Sequence, residues 1–172
     1  MLQIIRAELS DLHQIQTIAY QTWPVTFKNI LSDEQIEYML EMMYSTNSLT
    51  TQVQDKQHVF LLAMNSNEFK GFTSYELNYK GSKATKIHKI YILPGQQGKG
   101  IGKSLLDKVS EIALKNSNSA LSLNVNRQNA AIDFYRKYGF KIVAEENIPI
   151  GNGFLMEDYV MEKLLYLPIK KR

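Results

Sequence analysis

Three glycines lie between a strand-like segment and an amphipathic helix, in the stretch Gln97-Gly98-Lys99-Gly100-Ile101-Gly102-Lys103-Ser104. Glycine enters turns that a Cβ would obstruct, so several backbone N–H groups can converge on one point. That point lies at the N-terminus of the following helix, where the helix dipole favours an anion. The segment therefore predicts a strand–turn–helix unit that binds a phosphate or a diphosphate.

Three phosphate-binding patterns compete for this stretch, and their spacings separate them. A P-loop requires Gly, four residues and then Gly-Lys-Ser/Thr, but Gln97 stands at the position of the first glycine. A dinucleotide-binding Gly-x-Gly-x-x-Gly fails because Lys103 stands at its third glycine. The pattern that fits is Gln-x-x-Gly-x-Gly, from Gln97 through Gly100 to Gly102, after the strand-like residues 88–93.

This pattern resembles the acetyl-CoA pyrophosphate loop of the GNAT superfamily of N-acetyltransferases. A second segment supports the resemblance independently, because residues 129–140 are similar to the family's signature of Asn, a short helix, Tyr and Gly-Phe. The resemblance is close over residues 85–145 and holds in outline elsewhere. It implies acetyl-CoA as the cofactor and acetyl transfer to an amine as the reaction.

The composition indicates one ordinary globular domain. The 172 residues are enough to bury a core without disulfides, and we expect a single GNAT domain over residues 1–166 with a basic tail at 167–172. With no cysteine and only three histidines, the sequence predicts no metal site and no cysteine acyl-enzyme.

Charge and hydropathy indicate whether the chain binds nucleic acid or a membrane. The net charge of +3 is dispersed, without the basic stripe of a nucleic-acid-binding protein. No apolar run approaches the ~20 residues of a membrane span, and the N-terminus lacks a signal-peptide core. We therefore expect a cytoplasmic protein with no nucleic-acid or membrane partner. Members of the family are frequently dimers, so a homodimer is the assembly that the resemblance implies.

Hydrophobic periodicity predicts an α/β fold of the mixed α+β kind. A first strand at 2–7 precedes a helix that Trp23-Pro24 should stop, and a second helix opens with a capping box at Ser32. Further strands and two helices follow. The order predicts a GNAT-like central sheet of about seven strands, mixed but mostly antiparallel, with helices on both faces. The predicted later elements are strands at 59–64, 71–78, 88–93, 121–125, 140–144 and 154–164, a helix that begins near Lys103 with the buried stripe Ile101, Leu105, Val109 and Ile112, and a short helix from about Asn129 to Gly139.

The cofactor contacts follow mainly from the resemblance. Backbone N–H groups of the glycine loop should hold the pyrophosphate, and the backbone of the preceding strand should pair with the pantetheine arm. The resemblance also places Asn124 and Asn129 beside the cofactor, whereas helix capping explains Asn129 equally well. The implied cofactor residues are Ile90, Tyr91, Ile92, Gln97, Gly98, Lys99, Gly100, Ile101, Gly102, Lys103, Ser104, Asn124, Asn129 and Tyr135.

Tyr135 is the candidate catalytic acid. A departing thiolate needs a modest proton donor, and a phenol of pKa about 10 is suitable. The alternative is that Tyr135 fills the core, because it lies on one helical stripe with Ala131, Phe134 and Tyr138.

The base that deprotonates the amine has two candidates. His88 lies on the strand where family members often carry a glutamate, and histidine titrates near neutrality. Glu76 on the neighbouring strand is the alternative, and an amine that is already uncharged in solution would need no base.

Acceptor recognition is the least determined part of the site. The segment 23–27 should be a loop over the acceptor groove, where Trp23 and Phe27 either line a slot or pack the helix pair. Glu76, Glu157 and Asp158 are candidate partners for a cationic acceptor. The Thr26-Phe27 loop and the helix from Ser32 to Leu40 loosely resemble those of bacterial polyamine acetyltransferases.

These patterns predict an acetyl-CoA-dependent N-acetyltransferase that acts on a primary amine of a small molecule, such as a polyamine, by direct attack in a ternary complex. Acetylation of a protein or peptide amine is an alternative acceptor class. A CoA-binding regulatory module with weak catalysis is a different class of function, favoured by the absent strand glutamate. A P-loop phosphotransferase is disfavoured by Gln97.

Overall fold

The computed structural model describes residues 1–167, and these form seven strands and five α-helices. The elements in chain order are β1 (Gln3–Arg6), a short 3-10 helix (Leu9–Asp11), α1 (Leu12–Thr26), α2 (Asp33–Tyr44), α3 (Thr46–Gln54), β2 (Val59–Asn65), β3 (Glu68–Glu76), a second 3-10 helix (Tyr79–Gly81), β4 (Ala84–Ile92), α4 (Ile101–Lys115), β5 (Ala120–Asn126), α5 (Ala131–Tyr138), β6 (Lys141–Gly151) and β7 (Phe154–Leu164).

The strands form one mixed sheet in the order β1-β2-β3-β4-β5-β7-β6. The pairs β1–β2, β2–β3, β5–β7 and β6–β7 are antiparallel. Strand β4 pairs with β5 in parallel, residues 84–87 against 120–123. The predicted mixed, mostly antiparallel sheet of about seven strands is thereby confirmed.

The chain forms two compact units. The first comprises Met1–Tyr75 and His88–Leu106, and the second comprises Glu76–Ile87 and the chain from Asp107 onward. A single domain over residues 1–166 stays a prediction. Of the predicted basic tail, residues 168–172 lie outside the described part of the chain. No helix within residues 1–167 is both long and apolar enough to cross a bilayer.

The first unit is built on helices α1 to α3 and strands β1 to β3. Helical spacing predicts a buried stripe of Ile36, Met39, Leu40 and Met43 on α2; the first three are buried, whereas Met43 is half-buried. Ser32 caps this helix by accepting a hydrogen bond from the Gln35 N–H at 3.1 Å. Aromatic side chains fill part of the remaining interior. The fully buried aromatic residues of this unit are Tyr44, Phe60 and Phe72.

In the second unit one face of β5 is apolar and the other is polar. Leu121, Leu123 and Val125 are buried, and they alternate with Ser122 and Asn124, as the period of a strand requires. The apolar residues therefore form the core of this unit, while the polar face carries part of the candidate site described below.

The prediction that Trp23-Pro24 stops the first helix is wrong, because α1 continues to Thr26 with Pro24 inside it. Proline removes only the single N–H that would bond to the residue four positions earlier. The Phe27 N–H still donates to the Trp23 carbonyl oxygen at 3.0 Å. Both aromatic side chains are buried, so packing keeps this turn helical, and the predicted loop at 23–27 is largely helix.

Two further elements differ from the prediction. Helix α3 was not predicted because the sequence from Thr46 to Gln54 is mostly polar, although Ser45 caps it through a 3.2 Å bond from the Ser48 N–H. Strand β6 runs to Gly151 rather than ending near 144, since it pairs with β7 along its length. Both elements depend on tertiary contacts that local patterns do not contain.

Candidate functional site

Strand β4 ends in three half-buried residues, Ile90, Tyr91 and Ile92, directly before the glycine loop. Their backbone lies very close to β3, where a Cβ on Gly71 would come within 2.8 Å of the Tyr91 carbonyl oxygen. The Tyr91 ring contacts the ring of Trp23, with centroids 5.6 Å apart. These contacts fix the strand that leads into the loop.

The loop after β4 takes the backbone shape that its glycines allow. The Gln96 N–H donates to the Leu93 carbonyl oxygen at 3.0 Å and closes a turn. Gly98 and Gly100 have φ values of +77° and +81°, in the left-handed region. A Cβ at either position would meet no atom within 4 Å. Backbone conformation, rather than lack of room, therefore requires glycine here, and the space beside the loop is open.

Helix α4 begins at Ile101, immediately after this loop. The Ser104 N–H donates to the Gly100 carbonyl oxygen at 3.0 Å, which starts the intrahelical ladder. The first N–H groups of any α-helix lack an intrahelical acceptor and carry partial positive charge. No acidic residue lies in the first turn of α4, and Lys99 and Lys103 add positive charge on either side. The loop and helix start therefore fit an anionic diphosphate group.

The other predicted cofactor residues near the glycine loop lie in the loop itself or in the first turn of α4. Gln97 and Lys99 are exposed in the loop, and Gly102 is the second residue of α4. The Lys99 ammonium donates to Oε1 of Gln96 at 3.2 Å. The first unit thus brings all eight residues from 97 to 104 together in one turn and one helix start.

Asn129 lies in the second unit, just before α5. Its Oδ1 accepts a hydrogen bond from the Ala131 N–H at 2.9 Å, and its own N–H donates to the Asn126 carbonyl oxygen at 3.0 Å. The N-cap of α5 is Ala130 and has no side-chain capping bond. Asn129 is therefore the turn residue just before the cap, and the expectation that it caps the helix is wrong by one residue. A contact of Asn129 with the cofactor stays a prediction.

Tyr135 is buried on α5, with its ring 5.5 Å from that of Phe134 and 5.8 Å from that of Phe140. Burial raises the pKa of the phenol above its ordinary value, so the hydroxyl stays protonated at neutral pH. Among residues 1–167 the hydroxyl has no hydrogen-bond partner. The ring therefore packs in the core, as the alternative for Tyr135 expects, and its role as the catalytic acid stays a prediction.

Asn124 lies on the polar face of β5 within a charged network. Its Oδ1 accepts a hydrogen bond from the Lys86 ammonium, and its Nδ2 donates to Glu146 at 2.9 Å and to Asp158 at 3.4 Å. Burial raises the pKa of Asp158 and lowers the pKa of Lys86, because both charged groups are withdrawn from water. The Asn124 side chain is thus engaged inside the protein, and its contact with the cofactor stays a prediction.

Of the two candidate bases, His88 is half-buried on β4 and stacks on a second histidine. The imidazole rings of His88 and His58 lie 3.9 Å apart and within 13° of parallel. Burial, with added repulsion from Lys89 and Lys56, lowers the pKa of His58 to about 4, so this ring is neutral at pH 7. Glu76 is the half-buried last residue of β3.

The candidate acceptor residues differ in exposure. Trp23 and Phe27 are buried against each other, with ring centroids 4.5 Å apart. These contacts are those expected if the two residues pack the helix pair. Glu157 is exposed on β7, opposite Asn147 of β6. A role for these residues in acceptor binding stays a prediction.

Sequence patterns did not single out Lys86, Lys89 or His58. All three are buried, whereas lysine is ordinarily among the most exposed residues. The available signal was that Lys86 and Lys89 lie among apolar residues in the strand-like segment 84–92. The interior of a strand in a sheet ordinarily excludes a charged side chain.

Comparison with known proteins agrees with this arrangement. Residues 27–163 match the acetyltransferase (GNAT) domain family. The chain is 30% identical over 161 residues to the spermidine N(1)-acetyltransferase of Thermoplasma acidophilum, covering 91% of this chain and 96% of the relative. It is 27% identical over 163 residues to the uncharacterized N-acetyltransferase YuaI of Bacillus subtilis, covering 91% and 90% of the two chains.

A solved structure shows the same fold. The crystal structure of PaiA N-acetyltransferase from Thermoplasma acidophilum in complex with coenzyme A is similar with a TM-score of 0.80 and 27% identity, covering 95% of this chain and 99% of the other. The strand–loop–helix unit and the family match together define an acyl-transferring enzyme. The chain belongs to the GNAT acetyltransferase family and is an acetyltransferase.

Proposed function

We propose that the chain transfers an acetyl group from acetyl-CoA to a primary amine of a small molecule, by direct attack within a ternary complex. The observation that carries this proposal is the open, left-handed turn at Gly98 and Gly100 at the start of α4. It is supported by the family match and by the similarity to a PaiA enzyme in complex with coenzyme A.

The grip on the cofactor would come from the backbone. N–H groups between Gly98 and Lys103 would donate to the diphosphate, with Gln97 and Ser104 at the flanks. The backbone of Ile90 to Ile92 would pair with the extended arm of the cofactor. When bound, acetyl-CoA supplies an activated thioester carbonyl.

In the transfer, the amine nitrogen forms a bond to the carbonyl carbon and the carbon–sulfur bond breaks. Tyr135 would donate its phenol proton to the departing sulfur, because burial keeps this proton on the ring at neutral pH. The amine would lose its proton to His88 or Glu76, or enter uncharged from solution.

For the acceptor we propose a polyamine. This is supported by 30% identity, over nearly the whole chain, to a relative described as a spermidine N(1)-acetyltransferase. Glu76 and Glu157 are the carboxylates that we propose as partners of its ammonium groups. Every polyamine carries a primary amine, so this choice narrows the acceptor class proposed above without changing it.

The test is to mix the protein with acetyl-CoA and separate amine acceptors and to follow thiol release. Spermidine and spermine should release thiol faster than an amino acid or a peptide with a free N-terminus. Turnover with only amino acids or peptides would overturn the polyamine proposal. Tight binding of CoA by calorimetry with no turnover on any amine would overturn the enzymatic proposal and favour a regulatory module.

A further inference from the structure

Lys89 is a buried amine without an acidic partner. Its side chain is 8% exposed, and the ammonium nitrogen donates to Oε1 of Gln52 at 2.6 Å. Among residues 1–167 no carboxylate pairs with it. A buried lysine normally keeps its charge through an ion pair, so this position holds the amine under an electrostatic penalty.

The surroundings of the amine are rigid and largely apolar. The rings of Tyr44 on α2 and Phe60 on β2 each lie 5.8 Å from Nζ. Gln52 is itself held by α2 and α3, because its Nε2 donates to the Met43 carbonyl oxygen at 2.8 Å and to the Ser48 hydroxyl at 3.0 Å. The acceptor oxygen is therefore fixed toward the amine.

The backbone of Lys89 is also fixed. Thr73 on β3 donates its hydroxyl to the Lys89 carbonyl oxygen at 2.7 Å. The side chain thus connects a central strand, β4, to helix α3 through Gln52.

Titratable groups from two neighbouring parts of the first unit lie around the amine. The segment between α3 and β2 contributes Lys56 and His58, and α2 contributes the Tyr44 phenol, whose pKa burial raises above its ordinary range. Burial, with a smaller contribution from Lys56, lowers the pKa of Lys89 to about 7. The amine is thus half charged at neutrality, whereas a solvated lysine titrates near 10.4.

We propose that Lys89, Gln52, Tyr44 and Phe60 form a pH-dependent latch that holds α3 against β4 tightly above neutral pH and less tightly below it. The rings of Tyr44 and Phe60 lie at cation–π distance and attract the charged amine, but they do not replace a counter-ion. The charged amine lacks a counter-ion there and favours states in which α3 moves away and the amine reaches water.

The direction of the pH dependence follows from how many protons each state binds. With α3 detached, the amine is solvated and keeps its proton up to about pH 10.4. With α3 attached, it loses the proton above about pH 7. The detached state therefore binds more protons between these values, and the attached state gains up to about tenfold in population per pH unit above 7. Below about pH 6 both states are protonated and the ratio is constant.

The test is amide hydrogen exchange of α3 at pH 6, 7, 8 and 9, corrected for the intrinsic exchange rate. Protection of residues 46–54 should rise about tenfold from pH 6 to pH 8, while that of α5 in the second unit should not follow this dependence. Flat protection of α3 in the unmodified protein would overturn the latch.

Two variants separate the latch from general effects of pH. In Lys89→Met the dependence should vanish, and its persistence there would overturn the proposal. In Gln52→Glu the new carboxylate should keep the amine charged and shift the rise to higher pH. If either variant fails to fold, the 13Cε signal of Lys89 in the unmodified protein decides, because a titration midpoint above 10 would contradict the latch. None of these measurements depends on acetyl transfer.

Discussion

The phenol hydroxyl of Tyr138, the last residue of α5, donates a hydrogen bond to Oδ1 of Asp107 on α4 at 2.8 Å. The phenol oxygen of Tyr138 also lies 3.2 Å from the hydroxyl oxygen of Ser110. Burial is the main cause that raises the pKa of Tyr138, to about 12, so the phenol remains a donor at neutral pH. This bond ties the two helices of the second unit together.

Replacing Tyr138 by phenylalanine should therefore lower stability and leave catalysis intact. The loss of one half-buried hydrogen bond should cost about 1 kcal/mol. Denaturant unfolding measures this cost, and acetyl transfer by the folded variant should equal that of the unmodified protein. A large loss of turnover at full occupancy of acetyl-CoA would show that Tyr138 does more than join α4 and α5.

Tyr135→Phe should give the opposite result. The Tyr135 hydroxyl has no hydrogen-bond partner among residues 1–167, so its removal should leave the free energy of unfolding nearly unchanged. If the phenol protonates the leaving sulfur, kcat should fall about 100-fold. Steady-state kinetics at saturating acetyl-CoA measures this, with Tyr138→Phe as the matched control. Unchanged kcat would assign Tyr135 to the core alone.

Gly100→Ala should weaken the binding of CoA. The left-handed backbone at Gly100, with φ of +81°, costs a residue with a Cβ about 1 kcal/mol, and any relaxation of the turn moves its N–H groups. Isothermal calorimetry should show at least a tenfold rise in Kd, as expected when an oriented set of charge-assisted bonds is disturbed.

Gly81→Ala is the control for this change. Gly81 also has a left-handed backbone, with φ of +73°, and open space where its Cβ would lie. It should lose similar stability but bind CoA normally. Equal losses of CoA affinity in both variants would mean that strain, rather than the geometry of the loop, explains the effect.

The burial of His58 should make stability fall in mild acid. Its pKa is about 4 in the folded chain, against an ordinary value of 6.5, so the unfolded chain binds more protons between these values. The stabilisation is complete above about pH 6.5 and is lost as pH falls toward 4. The melting temperature of the unmodified protein should decrease more over this range than that of His58→Phe. Parallel curves for the two proteins would contradict the burial of a neutral imidazole.

The sequence was sufficient for the parts of the site that depend on local chemistry. The glycine loop was predicted from residues 97–104 because positive φ and a helix start have short-range signatures. The capping of α2 by Ser32 was predictable for the same reason. The family resemblance then supplied the expectation of a mixed, mostly antiparallel sheet of about seven strands, which local patterns specify only weakly.

Local patterns failed where a tertiary contact decided the outcome. Pro24 was expected to end a helix, but burial of Trp23 and Phe27 keeps the turn helical. Lys89 was not singled out, because nothing in residues 84–92 indicates that Gln52, nearly forty positions earlier, lies at its ammonium group. Such pairings exist only after the strands and helices have packed.

Gly71 limits how this enzyme can be altered. Any larger residue there would bring its Cβ within 2.8 Å of the Tyr91 carbonyl oxygen and within 2.7 Å of the Ile92 side chain. Directed evolution aimed at new donors or acceptors can therefore diversify the loop and the helix start, but a library that includes position 71 should return mostly glycine among its active members.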